Sequence, residues 1–200
     1  MPRYKSLLRW EPFPYLVLLA LLLATGFIRP DAPPVLLWPF VLGIAASLVW
    51  VLVAIRAERR DRNPDAWGNL TGVAGLDLTE VPSASAAVRT VVPVIDTHRH
   101  QAAIDLARLH GGAEQQAVLV PRASRWMSMR YRVGVQLVGG DRPRHAGYLP
   151  DDAQDRWGGL LEARRVAGGY LSVPAFVLGE ARPHRVELDL SGLGALEATA

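Results

Sequence analysis

The chain has 200 residues, 22 Lys/Arg against 19 Asp/Glu and no cysteine, so disulfides and thiolate metal sites are excluded. The formal charge of +3 suggests a polyanion partner, but residues 1–62 hold eight Lys/Arg against four Asp/Glu, while residues 63–200 hold fourteen against fifteen. The basic excess therefore flanks the apolar N-terminal part, and the rest is close to neutral.

Residues 12–28 and 32–55 contain no charged side chain. A helix crossing the hydrocarbon core needs about 20 apolar residues. The spacing predicts membrane helices at about 13–28 and 34–55, the first short and helped by its flanks. Trp10, Tyr15, Trp38 and Trp50 fall toward the ends of these blocks, where amphipathic rings sit at headgroup level. A cleaved signal peptide is the alternative for the first block, but no A-x-A site follows and a second apolar block begins within a few residues. Arg3, Lys5 and Arg9 precede the hairpin and Arg56, Arg59, Arg60 and Arg62 follow it, against a single Arg29 in the connection. This bias places both termini on the cytoplasmic side of a bacterial inner membrane. Gly43 with Ala46 or Ser47 offers a small-residue surface for helix association, which leaves a homo-oligomer or a membrane protein partner open.

Residues 63–88 mix Gly, Pro, Ser, Asn and Ala without sustained period and read as a flexible linker. Periodicity then predicts a strand at 89–95, a helix at 98–109, strands at 115–121, 130–138 and 144–149, a helix at 151–167 capped by Asp151, and strands at 170–178 and 184–190. The fold class expected is α+β: a small β-rich domain over 89–191 with two helices, preceded by a two-helix transmembrane hairpin and followed by a tail at 192–200.

Two constellations carry possible chemistry. Val94-Ile-Asp-Thr-His-Arg-His100 has the D-x-H-x-H form of a metal-binding strand, in which His at i and i+2 point the same way. The remaining ligands and the length of an amidohydrolase barrel are missing, so a His-rich strand-to-helix turn is the reading taken. The second is the stretch containing Arg122, Arg125, Trp126, Arg130, Tyr131, Arg132, Arg142 and Arg144, followed by Tyr148. Its six arginines face one acid, Asp141, and interleaved aromatics suit single-stranded nucleic acid or another acidic partner. A solvated or protein-docking face is the alternative. No phosphate-binding loop or nucleophile elbow occurs, and no catalytic residue, cofactor or metal is expected.

Gln101-Ala-Ala-Ile-Asp-Leu-Ala, Ala117-Val-Leu-Val-Pro121, a strand ending at Gly140, Ala146-Gly-Tyr-Leu-Pro150, then Asp151-Asp152-Ala153 and Val186-Glu-Leu-Asp-Leu190 together resemble the HIRAN domain, notably its actinobacterial forms. The resemblance covers about 100 residues and none of the hairpin. It implies a small β-rich nucleic-acid-binding module; in a DNA-remodelling translocase one such domain binds the 3′ end of single-stranded DNA, a property not carried over to this chain. Where the family usually carries an N-P-x-D-x-N-A-V-like segment, this chain has the unrelated stretch from Arg122 to Val133.

Overall fold

The computed structural model describes residues 4–26, 33–58, 63–65, 67–84, 90–140 and 142–197. These fall into two compact units: Tyr4–Asp61 with Trp126–Met129, and a second that comprises Arg62–Arg125 and Arg130–Ala200 together with the first three residues.

In the first unit a 3-10 turn at Leu7–Arg9 precedes α1 (Phe13–Thr25) and α2 (Pro34–Glu58). At 1.5 Å per residue α2 is about 37 Å long, enough for a bilayer core, whereas the 13 residues of α1 give only about 20 Å. Leu37–Arg56 within α2 is accordingly the one stretch among the described residues long and apolar enough to cross a membrane. Among the described residues the expected pair of spanning helices is thus reduced to one candidate, because α1 covers only Phe13–Thr25; positions 27 and 28 of the expected first span lie outside the described residues. Phe13 meets Trp50 edge to face at 5.7 Å between ring centres. The connection between the helices, including Arg29, lies mostly outside the described residues.

The second unit is α+β. Its elements are β1 (Asp77–Glu80), β2 (Val91–Pro93), α3 (Gln101–Gly111), β3 (Glu114–Ala123), β4 (Arg132–Leu137), β5 (Arg144–Tyr148), α4 (Asp151–Val166), β6 (Gly169–Leu178), β7 (Arg185–Asp189) and a short α5 (Leu193–Glu197). The strands run β2-β7-β6-β3-β4-β5, antiparallel throughout, with β1 adding parallel to β6. Beyond β2, Val94 bonds to Val186 of β7 and Ile95 exchanges both backbone hydrogen bonds with Tyr148 of β5 (2.9 and 3.0 Å). The chain after β2 thereby bridges the two ends of the sheet at Ile95–Tyr148, while β1 pairs with β6 alone.

Alternation explains the core. Ala117 and Leu119 of β3, with Val133, Val135 and Leu137 of β4, face one way and are covered by Ile104 of α3 and Trp157 and Leu161 of α4. Val118 and Val120 face the other way, against Leu70, Leu76, Leu78 and Tyr170.

The 63–88 stretch, expected as a linker, is largely part of this fold. It supplies β1, buries Leu70 and Val81, and docks through an Asp65 loop in which the carboxylate accepts the amides of Trp67 (2.9 Å) and Asn69 (2.7 Å). A four-residue strand pairing with a partner ninety residues away leaves no local period to read. Residues 85–89 lie outside the described set. Asp151 is not the cap of α4: Pro150 holds that position, and Asp151 and Asp152 occupy the first turn, where carboxylates complement the helix dipole.

Candidate basic surface

The central device is a bulge in β5. Tyr148 pairs with Gly134 and His145 with Gln136, so two residues of β4 spacing correspond to three of β5. The extra residue resets the alternation, and His145 and Tyr148 come to the same face, their rings 5.0 Å apart. Gly147 makes this possible: its φ is +146°, and a Cβ there would lie 2.2 Å from the Ile95 carbonyl oxygen.

The Ile95–Tyr148 bridge brings in the D-x-H-x-H segment. Asp96 takes a left-handed conformation (φ 62°), which Asp tolerates, and a 3-10 turn at Thr97–Arg99 follows. Because these residues turn instead of continuing as a strand, the two histidines do not share a side. His98 is exposed and receives the Arg99 Nε hydrogen at 3.3 Å, while the His100 ring packs edge-on against His145 at 4.4 Å. Among the described residues no group of three or more His, Asp or Glu could hold a metal ion.

Arg132 ties the pieces together, paired with Asp96 at 3.0 Å and stacked over Tyr148 at 5.4 Å. Gln136 donates to His145 Nδ1 (2.8 Å) and to the Gly68 carbonyl (3.1 Å). Accepting at Nδ1 leaves the neutral ring's proton on Nε2, which is buried with no hydrogen-bond partner among the described residues. Burial, with the neighbouring His100 imidazole, lowers the His145 pKa to about 4. Burial also lowers that of His100; Asp96 opposes this, and the charges of Arg99, His98 and Arg125 add to it. Burial raises the Tyr148 phenol, with Arg132 opposing. The result is a neutral, half-sheltered imidazole pair with Arg99, Arg125 and Arg132 around it.

The structure separates the other expected residues. Arg122 and Tyr131 line a polar pocket of about 220 Å³ with Asp65, Arg165 and Tyr170. There Arg122 (2.5 Å) and Arg165 (2.9 Å) share Glu162. Burial alone would raise the Glu162 pKa, but hydrogen bonds from Arg165 and Arg122 hold it low. Arg130 pairs with Asp151 at 2.9 Å. Arg142 is exposed in the β4–β5 turn and Arg144 opens β5. Trp126 belongs to the helical unit.

In that unit Trp10 Nε1 donates to the Met127 carbonyl at 3.0 Å, Tyr15 and Trp38 are exposed, Trp50 packs on Phe13, and Arg56 is exposed near the end of α2. Arg59, Arg60 and Arg62, with Arg3, lie outside the described residues.

Sequence reasoning missed His100, His145, Gln136, Arg99 and Asp96 as one cluster. The available signal was the glycine two residues after His145, which marks a bulge able to turn His145 and Tyr148 to one face. No protein-family model, curated protein or solved structure matches the chain.

Proposed function

We propose that the chain is a non-enzymatic, membrane-anchored binding module. Its α1–α2 segment forms a hairpin in a bacterial inner membrane with both termini in the cytoplasm, and its β-rich domain takes single-stranded nucleic acid or another acidic partner. The observation that carries the binding reading is the meeting of the His100, His145 and Tyr148 rings with Arg132, which stacks over Tyr148; Arg99 and Arg125, whose charges add to the lowering of the His100 pKa, have no carboxylate partner among the described residues. The resemblance to HIRAN domains supports the same partner class. The membrane reading draws on the length and apolarity of α2 and on the basic flanks.

A second reading is a structural protein that acts through helix association and protein docking. It is favoured by the ion pairs of Arg122, Arg130 and Arg132, which leave fewer guanidiniums for phosphates.

The full chain in nanodiscs of neutral lipid, titrated with labelled single-stranded DNA bearing free or blocked 3′ ends, separates the two. Phosphate contacts weaken steeply as salt rises. The expected result is salt-sensitive binding that falls roughly tenfold in an Arg99→Ala/Arg125→Ala variant, the effect of about 1.4 kcal/mol. Absence of binding at low salt would sink the nucleic-acid reading and favour a protein partner.

A further inference from the structure

Trp126–Met129, in the connection between β3 and β4, groups with the helices. Two backbone-level contacts within that unit fix it: the Lys5 amide donates to the Met129 carbonyl at 2.7 Å, and Trp10 Nε1 donates to the Met127 carbonyl at 3.0 Å. The segment just before α1 and this loop therefore form one surface.

That surface is arranged the opposite way from one facing water. Its ionic pair, Lys5 with Glu11, is turned inward, the two side chains only 2% and 13% exposed. Its apolar side chains are turned outward: Leu8 is 70% exposed, Trp126 67%, Leu7 56% and Met127 52%. Soluble surfaces rarely cluster large apolar residues while hiding charges beneath them. Met127 is held in a left-handed conformation (φ 65°), uncommon for a non-glycine residue.

We propose that the Leu7–Arg9 turn and the Trp126–Met129 loop form a lipid-interfacial platform, seated at headgroup level in the bilayer that α2 crosses. This rests on the reading of α2 as a membrane span. The occupant is the phospholipid surface, because the platform is continuous with the apolar helices and combines amphipathic aromatics with an exposed cation, Arg9, the composition of an interfacial element. It gives the chain a second attachment to the membrane besides α2.

The absence of cysteine permits single labels in the full chain. An environment-sensitive fluorophore is placed at Met127→Cys, with Leu48→Cys in α2 as the reference for the hydrocarbon core and Glu180→Cys in the β6–β7 connection as an aqueous reference. Each variant is reconstituted in phosphatidylcholine vesicles whose acyl chains are brominated close to the headgroup or near their ends. The expected result is blue-shifted emission at position 127, quenched more by the shallow bromines than by the deep ones, with the order reversed at position 48. Quenching at 48 without quenching at 127 overturns the platform and leaves the anchor standing; blue-shifted but unquenched emission at 127 does the same and assigns the surface to a protein partner. No quenching at either position overturns both the platform and the membrane reading.

Discussion

Leu119, Leu137 and Leu188 of the β-rich unit are fully enclosed, whereas Leu42 and Leu52 of α2 are 63% and 64% exposed. The residue type is the same, and the difference lies in spacing. On a strand, alternation gives each leucine a core side, and α3 and α4 give that side a cover. An α-helix apolar on all faces has no single side to offer a protein core, and its outer surface must be met by another apolar medium. The β-rich unit thus encloses its core leucines, while the helical unit carries apolar surface that its own described residues do not cover.

The enclosure of the β-rich unit includes Leu70, Val81 and β1 from the stretch whose composition reads as a linker, and removing them is the largest test of the comparison. Burying a Leu or Val side chain stabilises by about 1.5–3 kcal/mol, so loss of Leu70 and Val81, together with the β1–β6 pairing, removes about 4 kcal/mol or more. A fragment of residues 85–197 is expected to unfold at much lower urea than one of residues 63–197, followed by circular dichroism. Equal midpoints would make 63–84 a tether after all and move the boundary of the unit.

A smaller but more local break is Gly147→Ala. The new Cβ meets the Ile95 carbonyl oxygen at 2.2 Å and Val94 Cγ1 at 2.8 Å, at a φ of +146° that side chains avoid. A cost of about 3 kcal/mol follows from the strained backbone and the broken closure. In the full chain in micelles, the sheet signal should melt earlier while the helical signal of α1 and α2 is unchanged. A melt identical to the parent would show that β5 accommodates the side chain and that the bulge does not govern closure.

The contrast also marks what could be read in advance. Strands expected at 115–121, 144–149, 170–178 and 184–190 correspond to β3, β5, β6 and β7 within a few residues, because short apolar runs such as Ala117–Val120, bounded by Gly and Pro turn signals, mark them in the chain. The helices at 98–109 and 151–167 correspond to α3 and α4, the latter closed by Gly168 at φ +92°. β1 was not legible, since Asp77-Leu-Thr-Glu80 has no apolar period and its pairing with Gly169–Ser172 is long-range. The site was half legible: the His-rich turn and the Arg/aromatic stretch each stood out, but their meeting through His100, His145 and Arg132 depends on one bulge and one bridge.

Acid should separate the two units by the smallest of these effects, through His145. Its pKa falls from 6.5 to about 4 in the fold, so between these values the unfolded chain binds a proton that the native ring refuses. Stability from this group is present in full above about pH 6.5 and is lost as pH falls toward about 4. His100 shifts in the same direction and adds to the loss, whereas Asp105, held low by hydrogen bonds from His184 and Arg182, loses its contribution only in more acidic solution. Between about pH 7 and pH 4.5 the His145 share is on the order of a few kcal/mol. His145→Gln removes the titrating group and keeps a partner for Gln136, so urea unfolding of the variant should show a correspondingly shallower pH dependence. Parallel pH profiles for parent and variant would mean that His145 is hydrated in solution, and the sheltered imidazole pair at the centre of the basic surface would have to be given up.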